Sequence, residues 1–401
     1  MRLQDLAAFG GQPLFSELKH TAQMNLPEWS KLKNTLRGIV ERSYFTNHGP
    51  LVNQLEQEFA KALGVRHAIC VSNGTSALMI MCRALGMRGE VIVPAFTFPA
   101  TVQALTWAGV TPVLCDVHSQ TQTPTARQVE ACITRRTTGV LLTHVWGQSA
   151  YSDDIQKLAD AYALNLIFDA CQAIGCTHLG HQLGNFGKAE AFSFHATKIV
   201  NATEGGCITT NDDHFARCFR AARSFHETPD DPPGILRMNG KMSEAQAAFA
   251  LLTLEEFEQN LTANHDRYTA YCRELSALPG IVVGVYSDSE VNNYQYVNVY
   301  IEAEVCGLTR DELFDLLAAE NIICRRHFSP GMHRIPPYDS MPQQIGRTFP
   351  VTDRLCERIM QLPNGQQVSI EDVTRICGLL SEIIALAPEI RAYHQSHQCL
   401  G

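Results

Sequence analysis

The sequence lacks the features that mark membrane, secreted and nucleic-acid-binding proteins. No apolar run approaches membrane-spanning length, and even the stretch 245–254 is interrupted by Gln246 and followed by two glutamates. The opening residues have no apolar signal core, so we expect a cytoplasmic protein. The net charge of −9 is spread along the chain rather than gathered in basic blocks, which argues against a nucleic-acid partner.

The cysteines form no metal-binding or disulfide pattern. There are 14 of them, scattered over a chain of 401 residues. No Cys-x-x-Cys pair is present, and the closest two, Cys171 and Cys176, have no second pair to complete a metal site. We therefore expect buried free thiols and no bound metal.

Short apolar runs alternate with helical patterns between residues 67 and 211. The runs lack the alternation of a half-exposed strand, which is typical of a mostly parallel sheet buried on both faces. We predict strands at 67–72, 91–95, 112–117, 139–145, 165–169, 189–194 and 207–210. The helices predicted between them are 76–85, 99–108, 126–133 and 152–162. In such sheets, ligands bind beyond the carboxyl ends of the strands.

The remainder of the chain predicts a second, smaller α/β unit. Residues 1–28 look irregular, whereas 27–43 is a plausible helix and a helical stretch runs from 243 to about 275. Beyond it we predict strands at 281–286, 294–301 and 322–325, and helices at 310–320, 352–361 and 370–386. We expect a large domain in residues 1–240, then a long linking helix and a small C-terminal domain in residues 241–401.

A turn between the first strand and the next helix is the first candidate binding element. It reads Ser-Asn-Gly-Thr-Ser at 72–76. Free backbone N–H groups, hydroxyls and the helix dipole suit such a junction to a phosphate. The turn lacks the Walker lysine and the Rossmann glycine spacing, so nucleoside triphosphates and dinucleotides are disfavoured. The alternative is an ordinary capped strand–helix turn.

Two charged residues at strand ends are the other candidates. Asp169 ends an apolar strand, and a desolvated carboxylate there needs a partner such as a protonated pyridine nitrogen. Lys198 lies in a turn between two buried strands, where burial and nearby cations would lower its pKa and make it a nucleophilic amine able to form a Schiff base. Taken singly, Asp169 could cap a helix and Lys198 could be a solvated lysine. Together with the turn they supply the three anchors that pyridoxal phosphate needs.

With these three elements, the sequence resembles the DegT/DnrJ/EryC1/StrS family of sugar aminotransferases, which are fold-type I pyridoxal phosphate enzymes. The resemblance covers nearly the whole chain, from residue 45 into the C-terminal region. The segments that carry it are SNGTSAL (72–78), VPAFTFPAT (93–101), FDACQAIG (168–175), SFHATK with EGG (193–206) and NGKMSEAQAA (239–248). It implies a large domain with a mostly parallel seven-stranded sheet flanked by helices, and a smaller C-terminal α/β domain.

The resemblance also implies roles for individual residues. Lys198 would hold the cofactor as a Schiff base, and Asp169 would pair with the ring nitrogen. The remaining cofactor contacts would be Gly74, Thr75 and Ser193 at the phosphate, Gln172 near the ring hydroxyl and Phe98 stacked on the ring. For Phe98 the alternative is plain core packing.

The resemblance implies roles for two further residues, one of which would place the site between two subunits. Asn239 matches a position that reaches the phosphate across a homodimer interface, and His333 matches a histidine near the bound sugar. The family often has GYNYRM where this chain has Arg-Met-Asn-Gly-Lys-Met at 237–242, so the aromatic neighbours of Asn239 are missing. A turn asparagine and a surface-loop histidine are the alternatives.

The expected reaction is transfer of an amino group from an amino acid, L-glutamate, to a nucleotide-linked (dTDP-type) 4-keto-6-deoxyhexose. Three rivals remain open at the level of sequence. The acceptor could be a 3-keto sugar or a keto-inositol; the reaction could be another of fold-type I, such as a desulfuration with Cys171 as nucleophile; or the chain could be a non-catalytic regulatory protein. The presence of Lys198, rather than the histidine of the related sugar dehydratases, favours transamination.

Overall fold

A seven-stranded sheet forms the centre of the larger part of the molecule. The computed structural model describes residues 1–21 and 23–398. The strands of the molecule are β1 (Lys19–His20), β2 (His67–Val71), β3 (Glu90–Pro94), β4 (Thr111–Cys115), β5 (Thr137–Thr143), β6 (Asn165–Asp169), β7 (Thr177–His178), β8 (His181–Gln182), β9 (Ala189–Ser193), β10 (Gly206–Thr210), β11 (Ile281–Val283), β12 (Val297–Ile301), β13 (Ile322–Ile323) and β14 (Ile359–Leu362). The strand order in the large sheet is β2-β10-β9-β6-β5-β3-β4.

Helices connect and cover the strands. They are α1 (Trp29–Arg42), α2 (Pro50–Leu63), α3 (Gly74–Ala84), α4 (Pro99–Trp107), α5 (Ala126–Glu130), α6 (Asp153–Ala161), α7 (Asp213–Ala222), α8 (Glu244–Glu255), α9 (Phe257–Leu275), α10 (Ala303–Cys306), α11 (Arg310–Ala319), α12 (Pro350–Arg358), α13 (Ile370–Ala385) and α14 (Ala387–Gln398). In the part of the chain that the structure describes, no helix is long and apolar enough to cross a membrane.

The large sheet is parallel except for β10, which confirms the predicted fold class. β9 pairs in parallel with β6, whereas β10 is antiparallel to both β9 and β2. No helix lies between β9 and β10, and a parallel pairing would need a crossover of a dozen residues or more, usually a helix. The segment that joins them contains Lys198, which places the lysine at the carboxyl edge of β9.

Both faces of this sheet are buried, as the unalternated apolar runs predict. Along β3, Val91 and Val93 pack into one core beneath α3 and α4, and Ile92 packs into another core with α5 and α6. Successive side chains of a strand point to opposite faces, so both faces must be apolar. Because β3, β5, β6 and β9 are parallel, their carboxyl ends meet at one edge of this sheet.

The C-terminal part has a separate apolar core around β11, β12 and β14. It is formed by side chains from α9, α11 and α13 together with Leu6 and Phe15 from the N-terminal segment. Residues 1–28 are less irregular than predicted, because Lys19 and His20 pair in parallel with Ile322 and Ile323. The carboxylate of Glu320 accepts hydrogen bonds from two backbone N–H groups of the same segment. The division at residue 240 stays a prediction.

The predicted linking helix is two helices rather than one. α8 ends at Glu255 and α9 begins at Phe257, with Glu256 between them. The sequence pattern does not reveal the break, because apolar residues recur at helical spacing on both sides of it. Ser243 starts α8 with a capping box, in which its hydroxyl accepts from the Gln246 N–H while the Gln246 amide oxygen accepts from the Ser243 N–H.

Candidate active site

A cavity of about 410 Å³ opens at the carboxyl edge of the large sheet. Its walls come from the turn before α3, the ends of β5 and β6, the segment between β9 and β10, and four residues of the C-terminal part, Gln295, Tyr296, Arg325 and His327. Seven of the predicted site residues line it: Gly74, Thr75, Phe98, Asp169, Gln172, Ser193 and Lys198. Sites at this edge are common in open α/β sheets because the connecting loops diverge there.

Lys198 is held by a compact polar turn and donates a hydrogen bond to Tyr296. Its backbone N–H donates to the His195 carbonyl at 2.8 Å, and its Nζ lies 3.0 Å from the Tyr296 hydroxyl. The side chain of Gln295 fixes the turn from outside, because its amide donates to the Thr197 carbonyl at 2.6 Å. The lysine is therefore positioned by a segment almost a hundred residues away.

The pKa of Lys198 lies above its ordinary value, which corrects the expectation from sequence. Burial does act to lower it, but the Tyr296 hydroxyl, the Cys171 thiol and the Asp169 carboxylate outweigh burial and raise the pKa. The expectation considered burial and nearby cations, whereas the groups around Nζ include a carboxylate and a hydrogen-bond acceptor.

Asp169 is buried at the end of β6 with both oxygens hydrogen-bonded. Its Oδ1 accepts from the Cys171 N–H at 3.0 Å, and its Oδ2 accepts from the Thr101 hydroxyl at 2.7 Å. Both donors are neutral groups. A buried carboxylate with neutral partners gains most from a cationic group brought into the cavity. A protonated ring nitrogen would be such a group.

The turn before α3 leaves backbone N–H groups directed away from the helix. The Asn73 side chain caps the Ser76 N–H at 2.8 Å, while Gly74 and Thr75 are the first residues of the helix, whose N–H groups have no intrahelical acceptor. A Cβ on Gly74 would lie 2.9 Å from Cys171 Sγ and 3.2 Å from Ser193 Cβ. A glycine is needed here because the turn and the end of β9 approach so closely.

Phe98 and Gln172 both line the cavity. The Phe98 ring is 47% exposed, so it is not the plain core residue that was the alternative. It packs edge-on against the His327 ring, with centroids 5.9 Å apart. The Gln172 side-chain oxygen accepts from the Trp146 N–H at 2.7 Å, which fixes the amide at the cavity wall.

The two residues assigned by resemblance to the interface and the sugar lie outside this cavity. Asn239 is exposed, and its side-chain oxygen accepts from Lys241 Nζ at 2.7 Å. His333 packs on the Phe349 ring, and its Nε2 contacts the Asp353 carboxylate at 2.8 Å. The histidine of the same loop that does line the cavity is His327.

Sequence reasoning missed the four cavity residues of the C-terminal part, Gln295, Tyr296, Arg325 and His327. Burial first, then the positive charges of Arg325 and Lys198, lower the pKa of His327 to about 4, so its imidazole is neutral near pH 7. The only signal was the polar run Asn-Asn-Tyr-Gln-Tyr at 292–296 before an apolar strand. Such a run is also typical of an ordinary loop.

The side chains that the structure describes, in residues 1–21 and 23–396, form no metal centre. Among them, no cluster of three or more histidine, cysteine, aspartate or glutamate side chains could hold a metal ion. Burial, followed by the nearby Asp169 carboxylate, raises the pKa of the Cys171 thiol well above its ordinary value. Cys171 is therefore a protonated thiol, which disfavours its use as a nucleophile.

Comparison with known proteins identifies relatives over almost the whole chain. The family model of the DegT/DnrJ/EryC1/StrS aminotransferases matches residues 28–381. The chain is 31% identical to the dTDP-4-amino-4,6-dideoxy-D-glucose transaminase of Shigella dysenteriae over 90% of this chain and 98% of that protein. It is also 31% identical to the GDP-perosamine synthase of Caulobacter vibrioides, over 86% and 93% of the two chains.

Solved structures agree with these relatives. The structure of DesI in the presence of its TDP-sugar product superposes with a TM-score of 0.94 at 38% identity, covering 98% of this chain and all of that one. The structure of DesV from S. venezuelae in complex with a ketimine intermediate superposes with a TM-score of 0.81 at 27% identity, over 88% and 94% of the two chains.

Proposed function

The chain belongs to the DegT/DnrJ/EryC1/StrS aminotransferase family and is a pyridoxal phosphate-dependent aminotransferase, and we propose that it transfers an amino group from L-glutamate to a nucleotide-linked (dTDP-type) 4-keto-6-deoxyhexose. The observation that carries the acceptor is the likeness to DesI, a protein with a TDP-sugar product, at a TM-score of 0.94 over 98% of the chain. The relative named as a dTDP-4-amino-4,6-dideoxy-D-glucose transaminase supports amination at carbon 4 of the sugar.

The residues around the cavity fit the three anchors of the cofactor. The N–H groups of Gly74 and Thr75 with the Ser193 hydroxyl would hold its phosphate, Asp169 its ring nitrogen and Lys198 its aldehyde carbon. Phe98 would lie against the ring, and Gln172 would lie near the ring hydroxyl. When bound, pyridoxal phosphate supplies an electron sink and a carrier for the amino group.

Lys198 is the proton-transfer residue of this proposal, and Tyr296 positions it. Nζ of Lys198 takes a proton from the α-carbon of the amino donor and delivers one to the sugar carbon in the second half of the cycle. The hydrogen bond to the Tyr296 hydroxyl, at 3.0 Å, orients Nζ within the cavity.

Arg325 and His327 are placed to receive the substrates. Arg325 lines the cavity, and its guanidinium would supply the positive charge that a glutamate carboxylate requires. The neutral His327 imidazole can donate or accept a hydrogen bond to a sugar hydroxyl. We assign the sugar contact to His327 rather than to His333, because His333 is engaged with Asp353 outside the cavity.

The active site would be shared within a homodimer. Asn239 is exposed. It lies near the turn at 72–76, because the carbonyl of its neighbour Gly240 accepts a hydrogen bond from the Ser72 N–H at 2.7 Å. An exposed asparagine at this position can contribute to the phosphate site of a second subunit. Mass determination in solution, together with Asn239→Ala and a measured cofactor affinity, tests this assignment.

The proposal is tested by separating the two half-reactions. The purified protein reconstituted with pyridoxal phosphate should show the visible band of a lysine-bound cofactor, and glutamate should remove the band with one 2-oxoglutarate formed per site. Lys198→Ala should show neither. No band in the wild-type protein would overturn the role of Lys198, and a band that glutamate leaves unchanged would overturn the donor.

The acceptor is tested in the second half-reaction. After treatment with glutamate and removal of the donor, a dTDP-4-keto-6-deoxyhexose should restore the band and yield the 4-amino sugar. A 3-keto isomer and a keto-inositol should not restore it at the same concentration. Restoration by either of these alone would replace the proposed acceptor with the corresponding alternative.

A further inference from the structure

Three buried threonine hydroxyls form a continuous chain of hydrogen bonds that ends on Asp169. Thr143 Oγ1 lies 2.8 Å from Thr97 Oγ1, Thr97 Oγ1 lies 3.0 Å from Thr101 Oγ1, and Thr101 Oγ1 lies 2.7 Å from Asp169 Oδ2. Each threonine belongs to a different part of the fold. Thr143 ends β5, Thr97 lies in the loop after β3 and Thr101 lies in the first turn of α4. All three side chains are buried.

Proton counting sets the direction of this chain. An ionised carboxylate only accepts hydrogen bonds, so the single hydroxyl proton of Thr101 must point to Asp169. Thr101 then has only lone pairs left for Thr97, and Thr97 must give its one proton to Thr101. Thr97 can in turn only accept from Thr143. The three O–H bonds therefore all point the same way, toward the carboxylate.

A chain of hydroxyls that all donate in one direction strengthens the last hydrogen bond of the chain, here the one from Thr101 to Asp169. Each hydroxyl that accepts a hydrogen bond becomes a better donor, and the effect is larger in the low-dielectric interior than in water. The last donor bonds to a charged acceptor, and such bonds are shorter and stronger than those between neutral groups. Its length of 2.7 Å agrees with that expectation. Thr97 thus strengthens the hydrogen bond from Thr101 to Asp169 without making one to the carboxylate itself.

We propose that Thr97, which is hydrogen-bonded to Thr143 behind it, is a positioning residue for the cofactor ring and acts through Thr101 to orient the Asp169 carboxylate against the ring nitrogen. This inference rests on the proposed pairing of Asp169 with that nitrogen, but it does not depend on the identity of the donor or the acceptor. Thr97 is buried and bonded only within the chain, so its effect on the cofactor must pass through Thr101.

The test measures the affinity of the protein for pyridoxal phosphate and the pH at which the visible band changes. Thr101→Val removes the donor to Asp169 at nearly constant shape, and we expect about a tenfold weaker affinity, because a lost hydrogen bond to a charged group costs about that much. Thr101→Ser keeps the hydroxyl and should restore the affinity. Thr97→Val should weaken binding by a smaller factor of about three.

The double variant Thr97→Val/Thr101→Val distinguishes a chain from separate packing effects. If Thr97 acts through Thr101, the double variant binds the cofactor no more weakly than Thr101→Val alone. Losses that multiply in the double variant, or a Thr97→Val protein with unchanged affinity and band, would overturn the inference. Should Thr101→Val fail to fold, Thr97→Val is compared with Thr97→Ser, which keeps the hydroxyl: weaker cofactor binding in the valine variant alone is expected, and equal affinities of the two variants would overturn the inference.

Two controls keep this result separate from other failures. Thr106→Val alters a hydroxyl of the same helix that contacts Tyr338 instead of the chain, and it should leave affinity and band unchanged. Asp169→Asn tests the pairing on which the inference rests. If Asp169→Asn leaves the band and its pH dependence unchanged, the assignment of Asp169 fails. If Asp169→Asn alters the band but the threonine variants do not, the proposed role of the threonine chain is overturned and the assignment of Asp169 to the ring nitrogen is kept.

Discussion

Nζ of Lys198 donates a hydrogen bond of 3.0 Å to the hydroxyl of Tyr296, a residue 98 positions further along the chain. The Tyr296 ring is buried and packs at a tilt against the Trp146 ring, with centroids 5.4 Å apart. The lysine comes from the edge of the large sheet and the tyrosine from the segment before β12. The hydrogen bond thus joins the N-terminal and C-terminal parts of the molecule at the reacting group.

Removal of this hydroxyl should slow proton transfer more than it weakens cofactor binding. We expect Tyr296→Phe to lower the rate at which glutamate removes the visible band by about tenfold, because one hydrogen bond to a charged group is lost. Stopped-flow absorbance with ordinary and α-deuterated glutamate measures this rate. The isotope effect should increase in the variant. An unchanged rate and isotope effect would remove Tyr296 from the proton-transfer step.

The close approach at Gly74 should make this position intolerant of a side chain. Gly74→Ala places a methyl group 2.9 Å from Cys171 Sγ, and the turn must shift to accommodate it. We expect about a tenfold loss of cofactor affinity, since displaced N–H groups forfeit about one hydrogen bond to the phosphate. Cys171→Ala in the same protein should recover part of the loss by removing the sulfur.

A glycine elsewhere provides the matched control for that variant. Gly378 lies inside α13, and a Cβ there meets nothing within 4 Å. Gly378→Ala should leave cofactor affinity unchanged and stabilise the protein by about 0.5–1 kcal/mol, because alanine loses less backbone entropy in a helix. Equal losses of cofactor affinity in the two glycine variants would contradict the steric explanation.

Arg325 should govern the affinity for the amino donor. Arg325→Gln removes the cavity guanidinium, and we expect the KM for glutamate to rise by at least about tenfold. The KM for the sugar acceptor should change by much less. Steady-state kinetics with each substrate varied in turn separate the two effects. Parallel increases in both KM values would show that Arg325 acts on the cavity as a whole.

His327 should make the apoprotein less stable in mild acid. Its pKa is lowered to about 4 in the folded protein, mainly by burial, whereas an unfolded histidine titrates near 6.5. Between these values the unfolded chain binds up to about one more proton, so this contribution is full above pH 6.5 and is lost as the pH falls toward 4. His327→Gln should reduce the acid dependence of the unfolding free energy in that window. Urea unfolding at several pH values measures it, and identical slopes for both proteins would contradict the burial of a neutral His327.

Much of the cofactor cavity could be predicted from the sequence because its residues follow strand ends. Asp169 ends a buried strand and the turn at 72–76 directly follows another, and a parallel sheet brings the carboxyl ends of its strands together. Seven of the predicted residues consequently line one cavity. Their individual roles stay predictions. The break between α8 and α9 was missed, since helical periodicity continues across it.

The sequence by itself determined the fold class, the family and the edge of the sheet at which the chemistry is placed, because strand periodicity and short segments around Asp169 and Lys198 are local properties of the chain. Only the tertiary structure decided what surrounds them. Tyr296 and His327 enter the cavity from remote segments, and an aromatic residue has the same sequence pattern whether it faces a core or a cavity. The direction of the Lys198 pKa shift is decided there too, because a pKa depends on the distances to charges and dipoles, and folding alone sets those distances.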